Sequence, residues 1–187
     1  MATYAYYSYD KALGGRRDTK LNKQIISIAR RNKFYYKMIK LIMEEDYGNP
    51  TEIIVAKIGD KPIGFIIFWC EFHRRNRYCC DLQYWIVDEI YRNRGIGSKL
   101  YSMMEERAEK DYGIYNYSVM YKKDDDMLEQ LYESKGYKFI PTYDGRDTQR
   151  EVRDDKHIKL FKIKVHSIVQ QGWDTDLILS PTDREKP

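Results

Sequence analysis

Residues 84–106 read YWIVDEIYRNRGIGSKLYSMMEE, and two predicted elements meet within them. An apolar run ends at Val87, a turn with two arginines and two glycines follows, and apolar residues then recur at helical spacing. Gly95 and Gly97 allow a ligand to approach the backbone closely, and a helix N-terminus offers unpaired N–H groups and partial positive charge. The pattern predicts a strand, a turn and a helix that suit a phosphate or pyrophosphate group. An ordinary turn, in which the glycines only relieve crowding, is the alternative at this point.

Two other glycine-rich motifs do not fit this turn. A P-loop requires glycine, four residues and then Gly-Lys-Ser/Thr, whereas position 92 is arginine and the order here is Gly-Ser-Lys. A dinucleotide-binding loop requires a third glycine three residues after the second, and that position is Leu100. Both motifs are therefore excluded.

The composition of the 187-residue chain is that of a globular protein. A hydrophobic content of 42% suffices for a core, and no apolar run approaches the ~20 residues of a membrane span. The N-terminus lacks a signal-peptide layout, so we expect a cytoplasmic protein with no membrane partner. The three cysteines have no metal-ligand spacing, which predicts no metal site. The net charge of +4 suits an anionic ligand and favours only weak attraction to nucleic acid.

The order of predicted elements is β, α(α), βββ, α, β, α, ββ. It indicates an α/β (α+β) fold with a mixed, mostly antiparallel sheet of about seven strands and flanking helices. Strands are predicted at 3–9, 51–58, 63–72, 77–87, 114–121, 137–143 and 157–165. Helices are predicted after Asp18 (one bent or two short), from about Gly95 to Gly113, and from an N-cap at Asp126 to Gly136.

Chain connectivity adds two expectations. The strand–helix–strand unit at 77–121 is expected to pair its two strands in parallel. No linker divides the chain, so we expect one domain over 1–166 and a C-terminal appendage at 167–187 with a disordered end.

Two motifs give the chain a resemblance to a known family. Arg92, Gly95 and Gly97 form Arg-x-x-Gly-x-Gly, and residues 125–137 read DDMLEQLYESKGY. The chain resembles the GNAT superfamily of acyl-CoA-dependent N-acetyltransferases, whose pyrophosphate loop reads Arg/Gln-x-x-Gly-x-Gly/Ala. A downstream family motif often reads Asn-x-x-Ala-x-x-Leu-Tyr-x-x-x-Gly-Phe. The resemblance covers residues 3 to about 165 and implies the GNAT fold.

The chain departs from the family pattern at three positions. In this family the loop commonly follows Val-x-Pro-x-Tyr-Arg, and here Glu89 stands in place of the proline. In the downstream motif, Leu128 stands where alanine is usual and Asp125 where an asparagine often contacts the CoA arm. The last change weakens any role of Asp125 in CoA binding, and a helix-capping carboxylate is the alternative role for it.

The resemblance implies that acetyl-CoA is the acyl donor, without a metal. Its pantetheine arm is expected to pair with the backbone near Ile86 and Val87. Its pyrophosphate is expected to lie against the loop and the first helical turn. Arg92, Arg94 and Lys99 are expected to add positive charge. The residues expected to bind the pyrophosphate are Arg92, Asn93, Arg94, Gly95, Ile96, Gly97, Ser98 and Lys99.

For the acid that protonates the departing thiolate, the resemblance points to Tyr132, which occupies the position of the family's recurrent tyrosine. The structural alternative for Tyr132 is a core aromatic on a short helix.

For the base that accepts the proton of the attacking amine, the resemblance points to Asp81. It interrupts an apolar strand where some protein-acetylating members carry glutamate. Strict alternation would place Asp81 on the strand face of Gln83 and Trp85. Glu71 on the preceding strand is the rival. The structural alternative is a strand-edge residue paired with an arginine of the turn at 73–77.

The leading hypothesis is an N-acetyltransferase that moves an acetyl group from acetyl-CoA to a primary amine by direct attack. The acceptor is a protein lysine, a protein N-terminus, or a small amine or polyamine, and no motif distinguishes among them. Two alternatives stay open: transfer to a nucleic-acid base or tRNA-linked amine, and a CoA-binding interaction module that has lost turnover. We expect a monomer or a homodimer.

Overall fold

The computed structural model describes residues 1–9, 18–34, 36–44, 51–73, 77–122, 125–138 and 157–163. The chain divides into two compact units, Met1–Ile114 and Tyr115–Pro187. The single domain over 1–166 stays a prediction, and the predicted appendage at 167–187 lies outside the described residues.

The first unit contains an antiparallel sheet whose four strands are neighbours in chain order. The residues that fill them are mainly β-branched and aromatic, which favours extended backbone. The strands are β1 (Thr3–Ser8), β2 (Thr51–Ile58), β3 (Lys61–His73) and β4 (Arg77–Val87).

A β-bulge interrupts β4 in its pairing with β3. Phe68 pairs with Leu82, whereas the preceding residue Ile67 pairs with Tyr84, so Gln83 is the extra residue. Because a bulge inserts one residue, the alternation of side chains along β4 reverses its phase at this point.

The first helical region consists of two helices, α1 (Thr19–Arg31) and α2 (Tyr36–Glu44). The carboxylate of Asp18 caps α1 and accepts hydrogen bonds from the N–H groups of Lys20 and Leu21, both at 2.9 Å. Lys33 then adopts φ 59°, a left-handed conformation that does not continue a helix. The alternative of one bent helix is therefore wrong.

Helices cover both faces of the four-stranded sheet. On one face, Val55, Phe65 and Ile86 belong to a buried cluster with side chains of α1 and α2. On the other face lies α3 (Ile96–Tyr112), whose Tyr101 ring is 5.2 Å from the ring of Trp85. As predicted, α3 ends at Gly113, which adopts φ 62°.

The second unit contains β5 (Asn116–Lys122), α4 (Asp126–Ser134) and β6 (His157–Ile163), with β5 and β6 antiparallel. The predicted N-cap at Asp126 is wrong by one residue, because the carboxylate of Asp125 accepts the N–H of Leu128 at 3.1 Å. Gly136 follows α4 with φ 87°, in agreement with the predicted C-terminal stop.

The predicted fold class is confirmed: an α+β chain with mostly antiparallel strands and flanking helices. Six strands lie in the described part of the chain, against about seven predicted. From residue 139 onward the predicted strand at 137–143 lies outside the described residues. The parallel pairing between the strands at 77–87 and 114–121 stays a prediction.

Candidate functional site

The turn between β4 and α3 ends in a helix N-terminus that has no side-chain cap. Gly95 is the N-cap residue, and the first bond of the helix runs from the Lys99 N–H to the Gly95 carbonyl at 3.0 Å. The N–H groups of Ile96, Gly97 and Ser98 precede this bond and therefore have no partner within the helix. Such N–H groups, at the positive end of a helix of 17 residues, bind anions.

Two residues of this turn adopt left-handed backbone conformations, Asn93 with φ 60° and Gly95 with φ 74°. No atom lies within 4 Å of the position that a Cβ on Gly95 would take. The backbone conformation, and not a lack of space, therefore requires glycine there. Asparagine is among the non-glycine residues that adopt this conformation most readily.

Arg92 holds the turn to the end of the sheet. Its Nε donates to the carbonyl of Val87 at 3.0 Å, and its guanidinium also donates to Oδ1 of Asn32 at 2.8 Å. The side chain predicted to bind pyrophosphate is thus engaged in maintaining the loop. A direct contact of Arg92 with acetyl-CoA stays a prediction.

Asn32 and Asp88 belong to the same arrangement and were not predicted. Oδ1 of Asn32 accepts the N–H of Glu89 at 3.1 Å, and Arg31 forms an ion pair of 2.7 Å with the carboxylate of Asp88. Burial of the Asp88 carboxyl opposes ionisation, but hydrogen bonds and attraction from Arg31 outweigh it and lower the pKa of Asp88. No sequence signal marks these contacts, because they join residues more than 50 positions apart.

The side chain of Trp85 on β4 contacts the first turn of α3. Its indole N–H donates to the carbonyl of Gly97 at 3.1 Å. A Cβ on Gly97 would lie 3.4 Å from Nε1 of Trp85, which is ordinary van der Waals contact. The indole is therefore packed directly against the loop, and it was not predicted as a site residue.

Gly64 on β3 lies close to the strand end that is predicted to bind pantetheine. It pairs with Val87, and a Cβ at this position would lie 3.0 Å from the carbonyl oxygen of Ile86. A larger residue at 64 would push the backbone at Ile86 and Val87 away. Glycine here preserves the position of the two predicted pantetheine partners.

The exposed side chains of the loop supply positive charge and one hydroxyl group. Arg94, Ser98 and Lys99 are all exposed. The guanidinium of Arg94 lies 5.8 Å from the centre of the Tyr91 ring, within the range of a cation–π contact. These side chains border the helix N-terminus, so the loop combines main-chain donors with exposed cations.

The bulge at Gln83 changes the predicted orientation of Asp81. Asp81 pairs with Trp69, whose side chain packs against the cluster of α1 and α2, whereas Trp85 contacts α3. The prediction that Asp81 shares a strand face with Trp85 is therefore wrong. Instead Asp81 is half-buried on the face that carries Tyr84, whose hydroxyl has its pKa raised by burial. The side chain of the rival base Glu71 lies outside the described residues.

Tyr132 is a buried residue of α4 in the second unit, with 7% of its surface exposed. Its ring lies 5.9 Å from that of Tyr121 and 5.8 Å from that of Tyr137. Burial and the Asp125 carboxylate raise the pKa of Tyr132 to about 12, so the hydroxyl is protonated at neutral pH. The packing of the Tyr132 ring is that of a core aromatic residue on a short helix. The protonated hydroxyl is compatible with a role as proton donor.

Residues 49–139 match a family model described as the acetyltransferase (GNAT) domain. This chain carries an acetyltransferase domain of the GNAT superfamily. The matched GNAT region contains β2 to α4 and every predicted site residue, whereas β1, α1 and α2 precede it. No curated protein has a sequence that matches the chain.

Solved structures agree with the GNAT fold at low sequence identity. The ribosomal-protein-S18-alanine N-acetyltransferase from Escherichia coli is 18% identical, with a TM-score of 0.60 over 87% of this chain and 94% of that protein. A GNAT acetyltransferase from Staphylococcus aureus is 16% identical, with a TM-score of 0.61 over 87% and 99%. A GNAT acetyltransferase from Elizabethkingia anophelis, solved with acetyl-CoA bound, is 13% identical, with a TM-score of 0.55 over 87% and 98%.

Among the described residues, no group of three or more His, Cys, Asp or Glu side chains is placed to hold a metal ion. None of the described helices is both long and apolar enough to cross a membrane.

Proposed function

We propose that this chain is an N-acetyltransferase that uses acetyl-CoA as acyl donor and a primary amine as acceptor. The observation that carries the proposal is the uncapped N-terminus of α3, where three N–H groups precede the first helical hydrogen bond. The exposed cations Arg94 and Lys99 border it. This donor set fits a pyrophosphate, which accepts many hydrogen bonds and carries negative charge.

The proposed acetyl-CoA contacts are mainly with the backbone. The N–H groups of residues 94–98 would hold the pyrophosphate, and the backbone of Ile86 and Val87 would pair with the pantetheine arm. Asn93 and Gly95 contribute through their left-handed conformations, and Arg92 contributes by holding the turn. Bound acetyl-CoA supplies a thioester carbonyl that an amine can attack directly.

Asp81 is proposed as the base, directly or through one water. An amine attacks only when neutral, so a proton must be removed from it, and general base catalysis typically contributes a rate factor of about 10²–10⁴. Asp81 is half-buried and lies two residues from the bulge. A bulge leaves backbone groups outside the regular ladder, and the N–H groups near this one are proposed to stabilise the developing oxyanion.

Tyr132 is proposed as the acid that protonates the departing thiolate. Its pKa, raised to about 12, keeps the hydroxyl protonated over the physiological pH range. The neighbouring Tyr121 offers a matched control, because it is buried in the same aromatic cluster.

For the acceptor we propose a protein N-terminus or lysine, with a small amine or polyamine as the other candidate. The Escherichia coli structure of this fold is named for the alanine of ribosomal protein S18, and another similar structure is a NatC complex bound to a Gag peptide and CoA. These names describe those proteins and motivate the choice of peptides as first substrates.

The first experiment is a thermal shift with acetyl-CoA, followed by a thiol-release assay. The amine panel contains peptides with a free N-terminus, N-blocked peptides with one lysine, and spermidine. Acetyl-CoA at 100 times its Kd should stabilise the protein by about 2.7 kcal/mol. No stabilisation would exclude the cofactor, and stabilisation without release for any amine would support a non-catalytic CoA-binding module.

The catalytic assignments are tested by two substitution pairs. Asp81→Asn should lower kcat about 100-fold or more, while Asp60→Asn, on the exposed β2–β3 turn, should leave it unchanged. Tyr132→Phe should lower kcat by a similar factor, while Tyr121→Phe should not. Equal kcat in both members of a pair would remove that residue from the mechanism.

A further inference from the structure

The side chain of Asn32, at the C-terminal end of α1, uses all of its hydrogen-bonding capacity. Its Nδ2 donates to the carbonyl of Ile28 at 2.9 Å and to Oδ1 of Asp88 at 3.4 Å. Its Oδ1 accepts the N–H of Glu89 at 3.1 Å and the guanidinium of Arg92 at 2.8 Å. An amide side chain has two N–H donors and two acceptor lone pairs, so these four bonds saturate it. Asn32 therefore joins the end of α1 to the β4–α3 loop, which we define as residues 88–95.

The backbone that carries Asn32 forms a Schellman motif. The N–H of Lys33 donates to the carbonyl of Arg30 at 3.1 Å, and the N–H of Phe34 donates to the carbonyl of Ala29 at 3.0 Å. Asn32 is the C-cap residue of this motif, so its side chain projects from a hydrogen-bonded stretch of backbone. We refer to residues 32–34 as the α1 turn.

Among the described residues, two non-glycine residues adopt left-handed backbone conformations, and each adjoins one partner of the bond between Asn32 and Arg92. Lys33 follows Asn32 with φ 59°, and Asn93 follows Arg92 with φ 60°. Such conformations are unfavourable for residues with a Cβ and persist where the surrounding structure fixes them. The chain thus accepts strain on both sides of this bond, which indicates that the contact has a function beyond reversing the chain direction.

Arg92 extends the connection to the strand end that is proposed to bind pantetheine. Its Nε donates to the carbonyl of Val87 at 3.0 Å, while its Nη2 donates to Asn32. A second link runs alongside, because Arg31 forms an ion pair of 2.7 Å with Asp88, the residue after Val87. A displacement of the α1 turn would therefore reach both the loop and the end of β4.

We propose that Asn32 is a positioning residue for acetyl-CoA that couples the α1 turn to the β4–α3 loop. The inference rests on the proposed function, because it takes acetyl-CoA as the ligand of the loop. The four bonds of Asn32 go to residues outside the group proposed to hold the pyrophosphate (94–98), so Asn32 acts through Glu89 and Arg92. Coupling between two sites is reciprocal: the α1 turn raises the affinity for acetyl-CoA, and bound acetyl-CoA stabilises the α1 turn.

The first test is isothermal titration with acetyl-CoA, without an acceptor amine, together with unfolding in urea. Asn32→Ala should weaken acetyl-CoA binding about 10-fold, because the loop loses the two bonds that Oδ1 accepts. The matched control is Asn22→Ala on the same helix, since Asn22 donates to the carbonyl of Met43 at 3.1 Å and accepts from the hydroxyl of Tyr9 at 2.6 Å. The control should lower stability and leave the affinity unchanged. Equal losses of affinity in the two variants would overturn the proposal.

A rescue variant separates positioning from general support of the fold. Asn32→Asp combined with Asp88→Asn exchanges the two groups. The carboxylate at position 32 still accepts from Glu89 and Arg92, and the amide at position 88 donates to it and accepts from Arg31. The affinity for acetyl-CoA should return to within about 3-fold of the wild-type value. A double variant that binds as weakly as Asn32→Ala would contradict the positioning role.

Hydrogen exchange tests the reverse direction of the coupling. In the wild-type chain, saturating acetyl-CoA should slow amide exchange in the segment that ends at Phe34 about 3-fold or more, and Asn32→Ala should remove this effect. Acetyl-CoA binding without slower exchange there would overturn this inference and leave the proposed function intact. No acetyl-CoA binding by the wild-type chain would overturn the proposed function and this inference with it.

Discussion

The indole N–H of Trp85 donates a hydrogen bond of 3.1 Å to the main-chain carbonyl of Gly97. Through this bond the last part of β4 holds the first turn of α3, where the uncapped N–H groups lie. The position of the helix N-terminus that is proposed to bind the pyrophosphate therefore depends on a side chain of the preceding strand. Substitutions at Gly97 and Trp85 should therefore perturb the loop to different degrees.

Gly97→Glu should abolish acetyl-CoA binding, because the new carboxylate occupies the phosphate position at the helix N-terminus and repels the ligand. Gly97→Ala is the matched control. Its Cβ fits at 3.4 Å from Trp85, and alanine favours a helix by about 1 kcal/mol over glycine. Isothermal titration should give normal affinity for the alanine variant and none for the glutamate variant. Normal affinity in Gly97→Glu would refute the placement of the pyrophosphate.

Trp85→Phe should lower the free energy of unfolding by about 1 kcal/mol, because the aromatic ring remains while the bond to Gly97 is lost. Acetyl-CoA affinity should fall at the same time, since the loop is less well held. Chemical denaturation and titration measure the two effects. A stability loss without a change in affinity would show that Trp85 supports the core alone.

Arg92 and Arg94 should respond differently to substitution by glutamine. Arg92→Gln removes hydrogen bonds to Val87 and Asn32, so we expect a stability loss of about 1 kcal/mol together with weaker binding. Arg94→Gln should weaken binding without loss of stability, and the effect should shrink at high salt because the side chain is exposed. Identical behaviour of the two variants would contradict the separate roles.

The buried Glu52 predicts a pH-dependent stability. Its carboxylate oxygen Oε1 accepts bonds from Tyr112 at 2.5 Å and Ser8 at 2.8 Å, and its side chain is inaccessible to solvent. Burial raises the pKa of Glu52 to about 7, against the lowering effects of the Tyr112 hydrogen bond and Arg107. Between about pH 4.5 and 7, the folded state therefore keeps a proton on Glu52 that the unfolded state has already released.

Glu52→Gln should consequently stabilise the protein at pH 8 and lose this advantage toward pH 4.5. The reason is that a raised carboxyl pKa lowers stability as pH rises through that window. A shift from 4.5 to about 7 corresponds to an upper value of about 3 kcal/mol. Thermal melts of both proteins at pH 5 and pH 8 give the comparison. A variant that is equally destabilised at both pH values would contradict it.

Much of the loop was predictable because its determinants are local. Gly95 and Asn93 adopt left-handed conformations, and Gly113 and Gly136 end helices, as expected of such residues at those positions. The stretch RNRGIGSKL therefore predicts the turn and the helix that follows it without knowledge of the rest of the chain, whereas anion binding there stays a prediction. Composition and periodicity likewise predict an α+β chain, because side-chain repeats reflect local secondary structure.

The orientation of Asp81 and the residues that hold the loop depend on contacts between distant parts of the chain, which the tertiary structure reveals. The bulge at Gln83 sets the face of Asp81, and no local signal in β4 reveals an extra residue in its pairing with β3. Asn32 and Trp85 hold the loop through bonds to residues far away in sequence or on another element. Local propensity gives the conformation of the loop, whereas packing and strand register, which join residues far apart in the chain, decide which side chains surround it.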